Sequence, residues 1–310
     1  MPSSAGSQIE RIGFKGWDNC WRISSSEIEL VVTADVGPRV IYCGFRNGRN
    51  LFKNFEEQMG RSGEPAWMSR GGARIWIGPE DREASYAPDN TPVEIEVKDG
   101  ALVATAPVEQ GPRVQKQMIV RVEGSRAEIV NRVRNVGMLP AELAVWTISV
   151  MAPGGVAVTG FPPRGTHPEN LAPSNPLVMW RFTDLSDPRW TFLKKYLLLR
   201  QDASIRAPQK IGHFNADTWG AYFLDGDLFV KRCRADAAGR YPDFGCSFET
   251  FTNDEMLELE TFSPVRLVLP GEWIEHVEQW ELRRATVPSA WTDEALDAAL
   301  REVHGANDAG

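Results

Sequence analysis

Short runs of apolar and β-branched residues, cut about every ten positions by Gly, Pro, Asn and Asp, constrain this chain most, because such punctuation leaves room for strands and little for helices. Residues 28–33 lead into the turn Asp35-Val36-Gly37-Pro38, and 39–45 follow before Arg46-Asn47-Gly48-Arg49. Val93-Glu94-Ile95-Glu96-Val97 alternates apolar with acidic residues, turns at Asp99-Gly100 and resumes over 102–106, the pattern of a hairpin with one wet face. Segments 114–122, 127–134 and 142–150 repeat it, as do 221–224, 228–231, 246–251, 256–262, 265–269 and 276–283. The spacing predicts antiparallel sheets. One helix is expected, over 291–304: Thr292 caps it, Asp293 and Glu294 suit its positive pole, and Ala295, Leu296, Ala299, Leu300 and Val303 form one stripe for docking onto the sheets. The tail 306–310 is expected to fray.

At 310 residues the chain could be one large β domain or two ordinary ones, and the absence of a linker-like break favours a single unit with its strands between about 20 and 285. No short-period repeat suggests a propeller or solenoid. The Pro-rich stretch 161–176 reads either as a binding loop or as the covering of a sheet edge. Hydrophobic content of 42% supplies a core, while a formal charge of -8 without a Lys/Arg block argues against a nucleic-acid partner. No apolar run is long enough for a membrane span, and no charged-then-apolar leader opens the chain. Cys20, Cys43, Cys233 and Cys246 have no metal or redox spacing and are expected to be reduced. The expectation is therefore a cytoplasmic monomer or weak homodimer. Metal motifs, P-loop, dinucleotide fingerprint and nucleophile elbow are missing, so neither metal nor cofactor is expected. Eleven tryptophans serve either to fill a core or to stack on sugar rings.

In Met256-Leu257-Glu258-Leu259-Glu260-Thr261-Phe262 the alternation puts Glu258 and Glu260 on one strand face, about 7 Å apart, with Leu257 and Leu259 on the other. Such a pair is either a solvated face or a coupled site in which repulsion and burial raise at least one pKa. Arg74 and Trp76, also two residues apart, could offer a guanidinium fork and an indole plate on one face, or be a surface arginine beside a core tryptophan.

The stretch LELETFSPVRLVLPGEWIEHVEQWEL resembles the galactose mutarotase-like superfamily, which includes the aldose 1-epimerases. There a strand carrying a glutamate runs into a proline, then L-x-P-G-E, then a last strand rich in aromatic residues. The resemblance implies an all-β super-sandwich of antiparallel sheets and puts Glu260 in the place of the base that deprotonates the sugar C1 hydroxyl. IELVVTADVGPRVIYCGFRNGRNLF is similar to the family's opening hairpin, whose turn feeds a strand placing groups at the sugar, here Arg39. The run from Gly71 to Glu80, with Tyr86-Ala87-Pro88-Asp89-Asn90, resembles a subgroup of mutarotase-like proteins and implies Arg74, Trp76 and Glu80 as sugar contacts.

The resemblance fails at one place. Aldose 1-epimerases carry a histidine in a "T-P-x-N-L-T-x-H" strand that protonates the ring oxygen; in Leu139-Pro140-Ala141-Glu142-Leu143-Ala144-Val145-Trp146 that position is Trp146. An indole cannot deliver the proton. Trp146 is then a sugar contact, and the acid is expected to be His167 of the long loop or a water. Lys210, Lys231, Tyr241, Asp243 and Glu258 are expected to orient hydroxyls. Charges of both signs suit an acidic or phosphorylated sugar as well as a neutral one. Two functions follow: an isomerase at the anomeric carbon, or a non-catalytic carbohydrate-binding protein that kept the site and lost the acid. Another sugar-processing activity stays open, because fold does not fix chemistry.

Overall fold

A computed structural model describes residues 7–285 and 287–304; the expected frayed tail, 306–310, and the side chains of 302–304, Val303 included, lie outside the described residues. Two antiparallel sheets form the framework of the described residues. The first has 11 strands in the order Gln8–Phe14, Trp17–Ser24, Ile28–Thr33, Arg39–Phe45, Gly72–Gly78, Ala141–Met151, Leu257–Phe262, Phe248–Thr252, Gln209–His213 and Leu177–Met179, with Arg266–Val268 pairing separately with Ala141–Met151. The second has 10, in the order Trp190–Phe192, Tyr196–Arg200, Val156–Gly160, Asp217–Leu224, Asp227–Arg234, Trp273–Arg284, Arg126–Asn135, Val114–Glu123, Ala101–Thr105 and Glu94–Lys98. Each sheet takes strands from both halves of the chain.

The expected strands are present where alternation was clean. Ile28–Thr33 and Arg39–Phe45 coincide with their predicted bounds, and the hairpin Glu94–Lys98/Ala101–Thr105 turns through Asp99 (φ 49°) and Gly100 (φ 72°), both left-handed as its tight turn requires. Other strands escaped the pattern. Tyr196–Arg200 is a short apolar run, a form shared with buried helix segments, and Gly72–Gly78 begins and ends on glycines that read as turns. The helix Asp293–His304 forms as expected, with the Ala295 amide donating to Thr292 Oγ1 at 3.2 Å. Leu296 and Leu300 are fully buried against Val158, Tyr196, Trp219 and Leu228, on the face of the second sheet turned away from the first.

Apolar side chains from both sheets, such as Ile75, Val145 and Leu259 from the first and Val120, Ile129 and Leu282 from the second, share one core. Within the sandwich runs a polar seam. Lys231 Nζ lies 2.8 Å from Glu278 Oε1, which also accepts hydrogen bonds from Thr147 Oγ1 and Thr261 Oγ1, both at 2.5 Å. The Trp280 indole donates to Glu278 Oε2 at 2.9 Å, and Thr261 Oγ1 lies 2.8 Å from His276 Nε2. Burial opposes charge on Glu278, yet Lys231 and these donors outweigh it and hold the carboxyl at about 2. Lys231, expected among the sugar contacts, is thus a partner of the inner seam, because its side chain points between the sheets. The four cysteines are unbridged and buried.

Candidate functional site

Strand register builds the site on the other face of the first sheet. Arg74 is paired with Ile148, Ile148 with Glu260 and Glu260 with Glu249. Two residues along, Trp76 is paired with Trp146 and Trp146 with Phe262; two residues the other way, Glu258 is paired with Phe251 and Phe251 with Lys210. Directly paired residues share a face, so these groups converge while Ile75, Val145, Leu257 and Leu259 point into the core. Gly72–Gly78 and Leu257–Phe262 are consequently buried on both faces. The glutamate face is the floor of a cavity and not a solvated exterior.

The cavity has a volume of about 310 Å³ and gathers Arg74, Trp76, Glu80, Trp146, Lys210, Glu258 and Glu260. Its walls are aromatic. Trp76 meets Trp146 edge-on with ring centres 5.0 Å apart, Trp146 stacks on Phe262 at 5.1 Å, and Trp67 and Tyr86 pack on Trp76. Sequence reasoning missed Trp67, Tyr86, Trp180, Phe182, Phe251 and Met256 as lining residues. Phe251 was accessible in principle from its alternation with Thr250; Trp67, Trp180 and Phe182 come from loops with no period to read.

Polar contacts fix the floor. Glu260, fully buried, accepts at Oε2 from Trp146 Nε1 at 2.9 Å and from Lys210 Nζ at 3.0 Å, while Oε1 has no partner. Lys210 Nζ also sits 2.7 Å from Glu249 Oε2, an ion-pair distance without hydrogen-bond direction, and lies over the rings of Trp180 and Trp146. Burial works against its charge, but Glu249 and Glu260 hold the ammonium above its usual pKa. Burial and the charge of Glu260 push Glu249 well above the ordinary carboxylate range, against the pull of Lys210. Arg74 spans the faces of Trp76 and Trp67, 4.9 and 5.3 Å from their ring centres, and its Nη2 reaches Glu258 Oε1 at 3.4 Å. Its Nε and Nη1 donate to nothing. Burial pushes Glu258 up to about 6 despite Arg74 and Lys210.

Several expected contacts lie elsewhere. Arg39 is buried behind the site, donating to the carbonyls of Ser69 and Gly71 and to Asp89 Oδ2, each at 2.7 Å, because the loop entering Gly72–Gly78 needs those carbonyls satisfied. His167 is exposed in the long loop and does not line the cavity. Tyr241 packs on Phe214, and its hydroxyl accepts the Asp236 amide at 2.8 Å. Asp243 lines an adjoining hollow and not the cavity itself. A larger groove of about 690 Å³ beside the C-terminal helix includes Glu281 and Arg283, which pair with each other at 2.7 Å. Among the described residues no group of three His, Cys, Asp or Glu side chains could hold a metal ion, and no helix is long and apolar enough to cross a membrane.

No family model matches this chain, and no curated protein matches it. Solved structures do. A galactose mutarotase-like protein from Lactobacillus casei, 10% identical, superposes with a TM-score of 0.55 over 86% of this chain and 100% of its own. One from Clostridium acetobutylicum, 11% identical, gives 0.52 over 90% and 99%. A Klebsiella pneumoniae protein described as a candidate aldose 1-epimerase, 9% identical, gives 0.55 over 96% and 87%. The fold of this chain, with its two long antiparallel sheets and glutamate-floored cavity, is the galactose mutarotase-like β super-sandwich.

Proposed function

We propose that this chain binds a carbohydrate in the cavity and interconverts its anomers, as an aldose 1-epimerase-like isomerase. The carrying observation is the state of Glu260: one carboxylate oxygen is fixed by Trp146 and Lys210, and the other is unpartnered in a sugar-sized cavity walled by indoles. Glu260 Oε1 takes the proton from the C1 hydroxyl, the bond between C1 and the ring oxygen breaks, and the ring oxygen is protonated. The open aldehyde turns about its C1–C2 bond and the steps reverse. His167 is too exposed to be the acid, and Glu258, on the same floor two residues away, takes that role. Arg74 turns its two unpartnered nitrogens, Nε and Nη1, to hydroxyls, and Lys210 orients Glu260. General acid and base steps of about 10² to 10⁴ each suffice for the reaction.

Trp146 favours a second reading, a non-catalytic sugar-binding protein, since it occupies the place of the family's acid and ties up an oxygen of the base. In either case the ligand is a small carbohydrate and the protein works as a monomer or weak homodimer, with neither nucleic acid nor membrane as partner. The unbridged thiols support the reducing cytoplasm.

NMR exchange spectroscopy on the anomers of several aldoses separates these readings. Wild type is expected to accelerate exchange of at least one, and Glu260→Gln to return it to the uncatalysed rate while that sugar still raises the melting temperature. Stabilisation by a sugar with no acceleration by wild type supports the binding protein instead. Neither effect with any aldose removes both.

A further inference from the structure

The second sheet has a gap in it. Asp227–Arg234 and Trp273–Arg284 stay paired as far as Arg232 and Gln279 and then part, although each goes on pairing with its other neighbour, Arg234 with Asp217 and His276 with Asn131. The strands splay around a hollow of about 510 Å³. His276, 5% exposed, lines it, and its Nε2 lies 2.8 Å from Thr261 Oγ1. Thr261 Oγ1 has one proton and gives it to Glu278, so the imidazole proton is on Nε2. Nδ1 is then a bare acceptor, with no hydrogen-bond partner among the described residues. Burial, joined by Lys231 and opposed by Glu278, brings His276 down to about 4, so the ring is neutral at neutral pH.

The charges around the hollow do not cancel. Glu275 is paired with Arg132 at 2.8 Å, Asp217 favours the charged form of Arg232, and Asp236 Oδ1 accepts the Ala238 amide at 2.9 Å. The guanidiniums of Arg234 and Arg266 have neither a hydrogen bond nor an ion pair among the described residues. With Glu275 offset by Arg132, Arg232, Arg234 and Arg266 face Asp217 and Asp236, an excess of positive charge. We propose that the gap is a binding site for a small hydroxylated anion, a hydroxycarboxylate or a polyol phosphate, separate from the sugar cavity on the opposite side of the first sheet. The acid group takes the forks of Arg234 and Arg266, whose geometry matches carboxylate and phosphate oxygens, and a hydroxyl donates to His276 Nδ1. An inorganic ion such as chloride leaves the buried acceptor unused, and an uncharged polyol leaves the guanidiniums unused.

Titration of the full chain at neutral pH with malate and with glycerol phosphate, followed through the His276 ring signal by NMR, tests it. At least one of the two is expected to shift that signal saturably while the signal of His213, packed between Phe161 and Phe248, stays in place. Which of them does so identifies the acid group. The double change Arg234→Ala with Arg266→Ala, at exposed positions outside the sugar cavity, is expected to weaken binding by at least about tenfold. Succinate and propyl phosphate, which lack the hydroxyls, are expected to bind several-fold more weakly than malate and glycerol phosphate. The site is overturned if neither anion shifts His276 saturably, if binding survives the double change, or if glycerol or sodium chloride at matched ionic strength gives the same shift. Equal binding of the analogues without hydroxyls overturns the role of His276 as acceptor and with it the class of ligand.

Discussion

Burial lifts Glu258 toward neutrality, while Arg74 and Lys210 favour its ionised form and Glu260 opposes it. In the proposed reaction Glu258 is the acid and must carry its proton when the ring oxygen accepts one, so only its protonated form would act. The turnover number for anomer exchange is therefore expected to fall roughly tenfold per unit as pH rises beyond about 6, and Glu258→Gln should lose that alkaline limb. Exchange rates measured between about pH 4.5 and 8.5 check both; a limb that persists in the glutamine variant assigns the acid elsewhere. The Leu-Glu-Leu-Glu alternation sufficed to put Glu258 and Glu260 on one face. It could not supply Lys210, which reaches Glu260 across the intervening strand Phe248–Thr252, nor show that Trp146 donates to the glutamate it faces. His167 was a guess by elimination, and elimination carries no geometry.

Strands buried on both faces are where sequence reading lost direction. In Asp227–Arg234 seven of the eight residues avoid full exposure, so the period of two marks which residues share a face without saying which face meets the cavity. Lys231 was assigned to the wrong side for that reason, and Arg39 likewise was read from its motif without its partners. The inner seam has its own energetics: a buried pair is costly to break and often neutral to replace. Lys231→Ala is expected to destabilise the protein by about 3 to 5 kcal/mol, because the buried Glu278 loses its cation. The double change Lys231→Met with Glu278→Leu should cost much less than either single change. Urea unfolding of the three variants decides it; equal and additive losses would mean that the pair contributes through packing rather than charge.

At the scale of the whole molecule, the class of fold was legible because nearly every segment carries strand punctuation and only one carries a helical stripe. The order of strands was not. Gly72–Gly78 pairs with Ala141–Met151, which pairs with Leu257–Phe262, and no local pattern records neighbours so distant in sequence. The cavity inherits that illegibility, since its floor exists only when these three strands lie side by side, whereas the glutamate-proline motif lies within one segment and could be recognised there.

The unbridged thiols make the sandwich its own stopwatch. Cys20 and Cys43 sit in the first sheet and Cys233 in the second, and burial pushes Cys20 up to about 11 and Cys233 up to about 12, so none presents a ready nucleophile in the closed state. Alkylation by iodoacetamide, followed by mass spectrometry, should therefore proceed only through transient breathing. Matching rates at Cys20, Cys43 and Cys233 would show both layers parting in a single event, whereas faster capture in one layer would reveal that it peels away first.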